Sequence, residues 1–120
     1  MKFNKLVRDK IPKIITSNGE KPIVHIAEDK EYWEKLKEKL NEEVNEFLKE
    51  DNEEELADIL EVIDGICEFK KFDKDKIEKI KIEKAEERGK FNKRIILDEV
   101  IENKSQVLAD ELLNEELDRK

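Results

Sequence analysis

Two pairs of acidic residues have the chemical type and the spacing needed to hold a divalent cation: Glu43 with Glu46, and Glu55 with Asp58. Residues three apart on a helix are neighbours, so each pair can grip one ion from a single turn. Carboxylate oxygens without His or Cys select hard cations, Mg²⁺ first and Mn²⁺ next. At about 100° per residue, both pairs fall beside or within the apolar face of their segment. Because unpaired carboxylates there are costly and repel one another, the pattern favours a metal site.

Chance offers a second interpretation of the same spacing. The chain has 33 Asp and Glu residues, and the pairs Glu50 with Glu53 and Glu83 with Glu86 repeat the pattern. Glu55 also belongs to a first helical turn, where a negative charge is favoured without any metal. From the spacing alone, a metal site and a set of solvated carboxylates both remain open.

Other side chains that carry chemistry are few. The single Cys67 and the single His25 exclude an internal disulfide, a multi-Cys zinc site and a His-rich metal site. We expect Cys67 to be a small core residue, and His25 to lie at the surface or to be satisfied by a hydrogen bond. Trp33 is expected to anchor the start of a helix in the core, with stacking on a nucleobase as the alternative.

Apolar residues recur with helical spacing through most of the chain, which predicts an all-α fold. A short first helix is expected, with Asp9 as its N-cap, Pro12 in its first turn and Asn18-Gly19 as its stop signal. Asp29 is the expected N-cap of the next helix. The longer helices are expected at residues 29 to 49, 53 to 69 and 75 to 88.

Two further segments complete the expected organisation. Residues 22 to 27 are β-branched and alternate, so they are predicted to be extended and to pair with residues 95 to 97 as a small ribbon. Residues 103 to 120, with Ser105 as cap, are predicted to form an amphipathic helix appended to a single domain of residues 1 to 102.

Composition bounds the class of protein. The chain has 120 residues, 48% of them charged and 37% hydrophobic, with a net charge of −8. So low an apolar content favours a small helical domain that completes its core with a second copy. The short link between the second and third helices predicts an antiparallel hairpin, and their wide apolar faces predict a four-helix bundle formed with a second hairpin. No apolar run is long enough to span a membrane, and the N-terminus lacks the pattern of a signal peptide, so we expect a cytoplasmic protein. The acidic balance argues against nucleic acid as the main partner.

The acidic pairs sit within a longer motif. Glu42-Glu43-Val44-Asn45-Glu46, followed by Glu55-Leu56-Ala57-Asp58-Ile59-Leu60, resembles the paired motif of the MazG-type all-α nucleoside triphosphate pyrophosphohydrolases. The phosphoribosyl-ATP pyrophosphohydrolases belong to the same superfamily. The opening block at 5 to 12 and the block at 83 to 91 look like those of a compact, phosphoribosyl-ATP pyrophosphohydrolase-like branch. The blocks cover about residues 3 to 101, in the expected order.

This resemblance implies hydrolysis of a nucleoside triphosphate between its α and β phosphates, which releases a monophosphate and pyrophosphate. A metal-bound water would be the nucleophile, with Mg²⁺, or Mn²⁺, lowering its pKa. Residue for residue, the motif assigns the metal to Glu43, Glu46, Glu55 and Asp58. It assigns catalytic roles to Glu42, Glu43 and Glu46, although Glu42 either orients a ligand or water, or is simply solvated. A homodimer or a higher homo-oligomer is also implied.

One departure concerns the second acidic pair. Only residues 47 to 54 separate the two halves, whereas the family motif usually has a longer gap. A longer gap selects Glu61 with Asp64 instead. We favour Glu55 with Asp58, because their Leu-Ala-Asp-Ile-Leu context matches and because Glu61 and Asp64 fall away from the apolar arc. Glu61 remains a candidate for an additional ligand, or for a residue that supports one of the ligands.

An acidic protein that binds phosphates must concentrate positive charge locally. The cations within the resembling blocks are the candidates, and Arg8 and Lys84 rank highest. For each of them, a solvated charge or a surface ion pair is the alternative, and Arg88 has a further one in its own helix end. The six candidates are Lys5, Arg8, Lys10, Lys84, Arg88 and Lys93.

Three functions follow from the sequence. The first is a Mg²⁺-dependent nucleoside triphosphate pyrophosphohydrolase, and the second is the same chemistry on phosphoribosyl-ATP. The third is a catalytically silent helical dimer that serves as an assembly or regulatory module. Activity toward a panel of triphosphates discriminates among them.

Overall fold

A computed structural model describes residues 2 to 102 of the chain. These residues form four α-helices and no strand: α1 (Ile11–Ser17), α2 (Asp29–Lys49), α3 (Glu53–Lys70) and α4 (Lys74–Arg88). The prediction of an all-α fold is confirmed for this part of the chain. None of the four helices combines the length and the apolar content that a bilayer span requires. The predicted helix at 103 to 120 falls outside the described residues.

The chain divides into two compact units at the junction between Asp73 and Lys74. The first unit contains α1, α2 and α3, and the second contains α4. Within the first unit, α2 and α3 pack against each other.

Helices α2 and α3 form an antiparallel hairpin, which the three-residue link at 50 to 52 requires. The contacts run in opposite directions along the two helices. Trp33, at the start of α2, stacks on Phe69, near the end of α3, with 5.9 Å between ring centroids. One turn further along α2, Leu36 meets Gly65. This pairing brings the second half of α2 beside the first half of α3.

A small core holds the hairpin together. Leu36, Val62 and Cys67 are its buried apolar residues, which confirms the expectation for Cys67. A Cβ atom on Gly65 would lie 3.3 Å from Cδ2 of Leu36, so the glycine allows α3 to approach this leucine closely. Trp33 is half-buried, and Nζ of Lys70 lies 4.8 Å from its ring centroid. Trp33 therefore anchors the first turns of α2 to the end of α3, as expected.

The helix starts differ from two of the predictions. The N-cap of α1 is Lys10 and not Asp9, because a turn closed by the bond from Ile11 N–H to the Arg8 carbonyl precedes the helix. The N-cap of α2 is Glu28, with extended backbone, so Asp29 is the first helical residue. Asp29 there places a negative charge in the first turn, where the helix dipole favours it.

The predicted ribbon is wrong. Neither residues 22 to 27 nor residues 95 to 97 form a strand. Branched side chains favour extended backbone, but a strand also needs a partner for its backbone hydrogen bonds. His25, in the first of these segments, is exposed, and its Nε2 lies 2.9 Å from a carboxylate oxygen of Glu31. The hydrogen-bonded surface role expected for His25 is what the structure shows.

Candidate metal centre

Three carboxylates from the two helices of the hairpin converge on one point. Glu43 comes from the middle of α2, and Glu55 and Asp58 come from the first two turns of α3. One oxygen of each can be chosen so that all three lie within 4.8 Å of one another. The antiparallel pairing of the helices produces this convergence, since the second half of α2 faces the first half of α3.

Glu43 is the most enclosed member of the group. Only 9% of its surface is exposed, and it is the buried charged residue of the described chain. A carboxylate in such a place needs a cation, because burial without one costs several kcal/mol. Lys39, one turn earlier on α2, lies 3.2 Å from its Oε1 and supplies that charge. The i,i+4 spacing of the two residues makes the ion pair local to the helix.

Glu55 is partly exposed and lies in the first turn of α3. Its backbone N–H donates to the side-chain oxygen of Asn52 at 3.1 Å, which caps the helix and fixes this turn. Its pKa is raised above the usual value, first by desolvation and then by the negative charges of Asp58, Glu46 and Glu43. Desolvation and the neighbouring negative charges therefore both disfavour the ionised form of Glu55 when no cation is near it.

Asp58 is held by a cation from a distant part of the chain. Nη2 of Arg8 donates to its Oδ1 at 2.8 Å, across 50 residues of sequence. Both side chains are partly exposed, at 57% for Arg8 and 39% for Asp58. Asp58 therefore has a charged partner that is accessible to solvent and to ions.

Glu42 lies next to the group and is tied to two lysines. Nζ of Lys5 lies 3.1 Å from its Oε1, and Nζ of Lys39 lies 3.5 Å from its Oε2. Partial desolvation, the largest single effect, favours the protonated form of Glu42. Together the charges and hydrogen bonds of the two lysines outweigh it, so that the pKa is lowered. Glu42 is ionised at neutral pH and connects Lys5 to the lysine that pairs with Glu43.

The remaining acidic candidates are placed outside the three-residue group. Glu46 is exposed, although it is close enough for its charge to contribute to the raised pKa of Glu55. Glu61 and Asp64, the alternative second pair, are both exposed on α3. In the described residues, the group that converges is the one built on Glu55 and Asp58.

The donor set fits a hard divalent cation. All the converging atoms are carboxylate oxygens, the ligand type that Mg²⁺, Mn²⁺ and Ca²⁺ prefer. Oxygens on opposite sides of a Mg²⁺ ion stand about 4.2 Å apart, because each bond is about 2.1 Å long. Oxygens in adjacent positions stand about 3 Å apart, so movements of the three carboxylates by up to about 2 Å would bring them from within 4.8 Å of one another onto such an ion. Glu43, Glu55 and Asp58 would hold it, with the remaining positions left for water or substrate.

Of the candidate phosphate-binding cations, the structure brings Lys5 and Arg8 to the acidic group, through Glu42 and Asp58. Lys10 is exposed at the start of α1. The other three candidates belong to the second compact unit. Lys84 and Arg88 are exposed on α4, and Lys93 is exposed in the turn that follows it.

Two residues that contribute to the candidate site were not predicted from the sequence. Lys39 supplies the charge next to Glu43, and its i,i+4 spacing from that residue is a signal that the sequence contains. Asn52 caps α3 and sets the turn that carries Glu55. It precedes Glu55 by three residues, as an N-cap precedes N3, which is also visible in the sequence.

Comparison with known proteins adds no family assignment to this geometry. No protein-family model, curated protein or solved structure matches the chain.

Proposed function

We propose that this protein is a divalent-metal-dependent nucleoside triphosphate pyrophosphohydrolase, which cleaves between the α and β phosphates and releases a monophosphate and pyrophosphate. The observation that carries the proposal is the convergence of Glu43, Glu55 and Asp58 from two facing helices. The resemblance of the surrounding motif supplies the reaction. An acidic group that is partly enclosed, and in which acidic neighbours disfavour the charge of Glu55, is what a Mg²⁺ ion, or Mn²⁺, would neutralise.

The ligands in this proposal are Glu43, Glu55 and Asp58, with Glu46 one turn from Glu43 as a further ligand. When bound, the ion lowers the pKa of a coordinated water and screens the charge of the substrate phosphates. Enclosure of Glu43 keeps one ligand fixed, because its Lys39 partner and the helix around it restrict its movement. Asp58 and Glu55 are partly exposed, so a substrate would reach the ion from their side of the group.

The cations next to the acidic group have a role in the same reaction. Arg8 and Lys5 are already placed within a few ångströms of the carboxylates, where the triphosphate of a bound nucleotide would lie. A guanidinium can bind phosphate oxygens in a bidentate manner, which orients the triphosphate as well as neutralising its charge. Glu42, by accepting from Lys5, holds that lysine beside the centre and remains a candidate for orienting water.

The proposal includes a homodimer. Leu56, Leu60 and Ile63 follow one another at i, i+4 and i+7 on α3, and all three are exposed in the single chain. Leu48 adds to the exposed apolar surface of the hairpin. A second hairpin packed on this surface would complete a four-helix bundle. A two-fold arrangement is the simplest way for one chain to cover such a surface.

Pyrophosphate release from a panel of nucleoside triphosphates, with Mg²⁺ or Mn²⁺, tests the proposal. We expect activity that depends on the ion and is lost on chelation. Asp58→Asn should reduce it about 100-fold or more, because even residues that only support a metal ligand cost 10- to 100-fold when replaced. Glu54→Gln is the matched control, since it removes one charge from an exposed position of the same helix outside the group, and it should retain activity.

The same panel separates the alternatives. Phosphoribosyl-ATP is included, and hydrolysis of that substrate alone would assign the narrower activity. If no triphosphate releases pyrophosphate with either ion while the protein is folded, the enzyme proposal is wrong. A catalytically silent helical module would then be the better account.

A further inference from the structure

The N-terminal segment that precedes α1 is fastened across both helices of the hairpin. Its contacts involve one backbone carbonyl and two cationic side chains. They are Lys35 Nζ to the Asn4 carbonyl at 2.9 Å, Lys5 Nζ to Glu42 Oε1 at 3.1 Å, and Arg8 Nη2 to Asp58 Oδ1 at 2.8 Å. The first two anchor the segment to α2, and the third reaches α3. Only the third contact uses a carboxylate of the proposed metal centre.

Arg8 and a divalent ion would compete for Asp58. The Arg8 guanidinium donates a short, charge-assisted hydrogen bond to the Asp58 carboxylate. A divalent ion bound to the same carboxylate would lie next to the positive charge of Arg8. Like charges a few ångströms apart repel strongly at the edge of a protein. Arg8 contacts only Oδ1 of Asp58, so the competition is electrostatic: the positive charge of either partner lowers the affinity of Asp58 for the other.

We propose that Arg8 is an internal counter-ion of the metal centre, which the divalent ion displaces from Asp58 and which then moves to the phosphates of the bound nucleotide. The proposal rests on the proposed function, since it concerns the same centre and substrate. Arg8 is a positioning residue in the free protein and a phosphate ligand in the complex.

The local structure suits such an exchange. The Arg8–Asp58 pair is partly exposed, and pairs of this kind contribute little to stability, so the bond can be given up at low cost. The contacts of Asn4 and Lys5 with α2 keep the segment in place while the Arg8 side chain turns. The long side chain and planar fork of arginine then suit a triphosphate next to the ion.

The test is direct binding of Mn²⁺, followed by the electron paramagnetic resonance signal of the free ion, in wild type and in Arg8→Gln. Removing a competing cation should tighten Mn²⁺ binding about two- to fivefold, the range that an exposed ion pair provides. Lys13→Gln is the matched control, because it removes one charge from an exposed position nearby in sequence and should leave Mn²⁺ affinity unchanged. Arg8→Lys keeps the charge and should bind Mn²⁺ as wild type does.

A non-hydrolysable triphosphate added with Mn²⁺ should reverse the sign of the effect. Arg8→Gln should then bind the nucleotide about tenfold more weakly than wild type, since a charged hydrogen bond to phosphate is lost. Arg8→Lys should also bind it more weakly, because the fork is lost although the charge remains. Far-UV circular dichroism shows that each variant keeps its helices.

The outcomes are separable. Equal or weaker Mn²⁺ binding by Arg8→Gln overturns the competition at Asp58, and unchanged nucleotide affinity overturns the transfer to phosphate. In either case, Mn²⁺ binding by wild type that is lost in Asp58→Asn leaves the proposed function in place. If wild type binds no Mn²⁺, the proposed function and this inference both fail.

Discussion

Glu55 is the residue whose charge disfavours the folded state of the metal-free protein. Its raised pKa means that the folded chain binds the Glu55 proton more tightly than the unfolded chain does. Stability therefore falls as the pH rises from the ordinary value of 4.5 through the raised pKa of the folded state. Above that window the full destabilisation is present, and below it there is none. The same repulsion among carboxylates is what a divalent ion would relieve.

Replacing Glu55 by Gln should therefore raise the melting temperature at pH 7, where the carboxylate is ionised. The increase should disappear at a pH well below 4.5, where Glu55 is protonated in both the folded and the unfolded state. Thermal unfolding followed by circular dichroism at the two pH values measures both effects. Glu54→Gln removes the same charge from the same helical turn outside the group, and it should not raise the melting temperature.

Mg²⁺ should reduce the difference in melting temperature between wild type and Glu55→Gln. A ligand that binds only the folded state raises its stability, so Mg²⁺ should raise the melting temperature of wild type more than that of Glu55→Gln. A lower melting temperature for Glu55→Gln without Mg²⁺ would contradict the excess of negative charge at this position.

At the scale of the helices, Asn52 determines where α3 begins. Its side chain accepts the N–H of Glu55, so the cap and the proposed metal ligand share one turn. Asn52→Ala should lower the free energy of unfolding by about 1 kcal/mol, as is typical of a lost N-cap. Asn41→Ala, at an exposed position within α2, is the control and should be neutral or slightly stabilising, because alanine is the better helix former. Urea denaturation measures both, and an equal effect of the two would contradict the capping role.

The helices were the part of the fold that sequence patterns could predict. Apolar spacing located α2, α3 and α4 to within a residue at each end, because each helix carries its own local signals. The errors are also local in origin. Asp9 is a good capping residue by type, but the turn from Arg8 to Ile11 moves the start of α1 to the next residue. The ribbon failed because a strand depends on a partner that no local pattern specifies.

The candidate site was predictable to the same depth. Helical geometry placed Glu55 on the inward arc, and the structure brings it together with Glu43 and Asp58. Glu46 stays exposed, because the side of α2 on which it lies faces outward in the single chain. The bond from Arg8 to Asp58 spans 50 residues, and no periodicity along one helix contains such information. Partners this far apart in sequence can be identified only from the packing of the hairpin.

At the scale of the whole molecule, the hairpin leaves much apolar surface uncovered. Leu60 is 62% exposed at the centre of the α3 stripe, and a second copy is the proposed cover. Leu60→Glu should convert the proposed dimer to a monomer in analytical ultracentrifugation, since a buried unpaired carboxylate in each half of a two-fold interface is costly. Ile26→Glu is the control, because Ile26 is 92% exposed outside the helices, and it should remain dimeric. A monomeric wild type would contradict the dimer.

The proposed function requires that carboxylates from two helices hold one divalent ion, and the position of bound Mn²⁺ shows whether they do. Traces of Mn²⁺ added to ¹⁵N-labelled protein broaden the amide signals nearest to the ion. The pair Glu31 and Glu34, at the start of α2, repeats the acidic spacing within the same compact unit and serves as an internal control. We predict that broadening starts at residues 43 to 46 and 55 to 58 before it reaches residues 31 to 34. Equal broadening at residues 31 to 34, or broadening that spreads over all exposed carboxylates, would show that the ion has no specific site between the two helices.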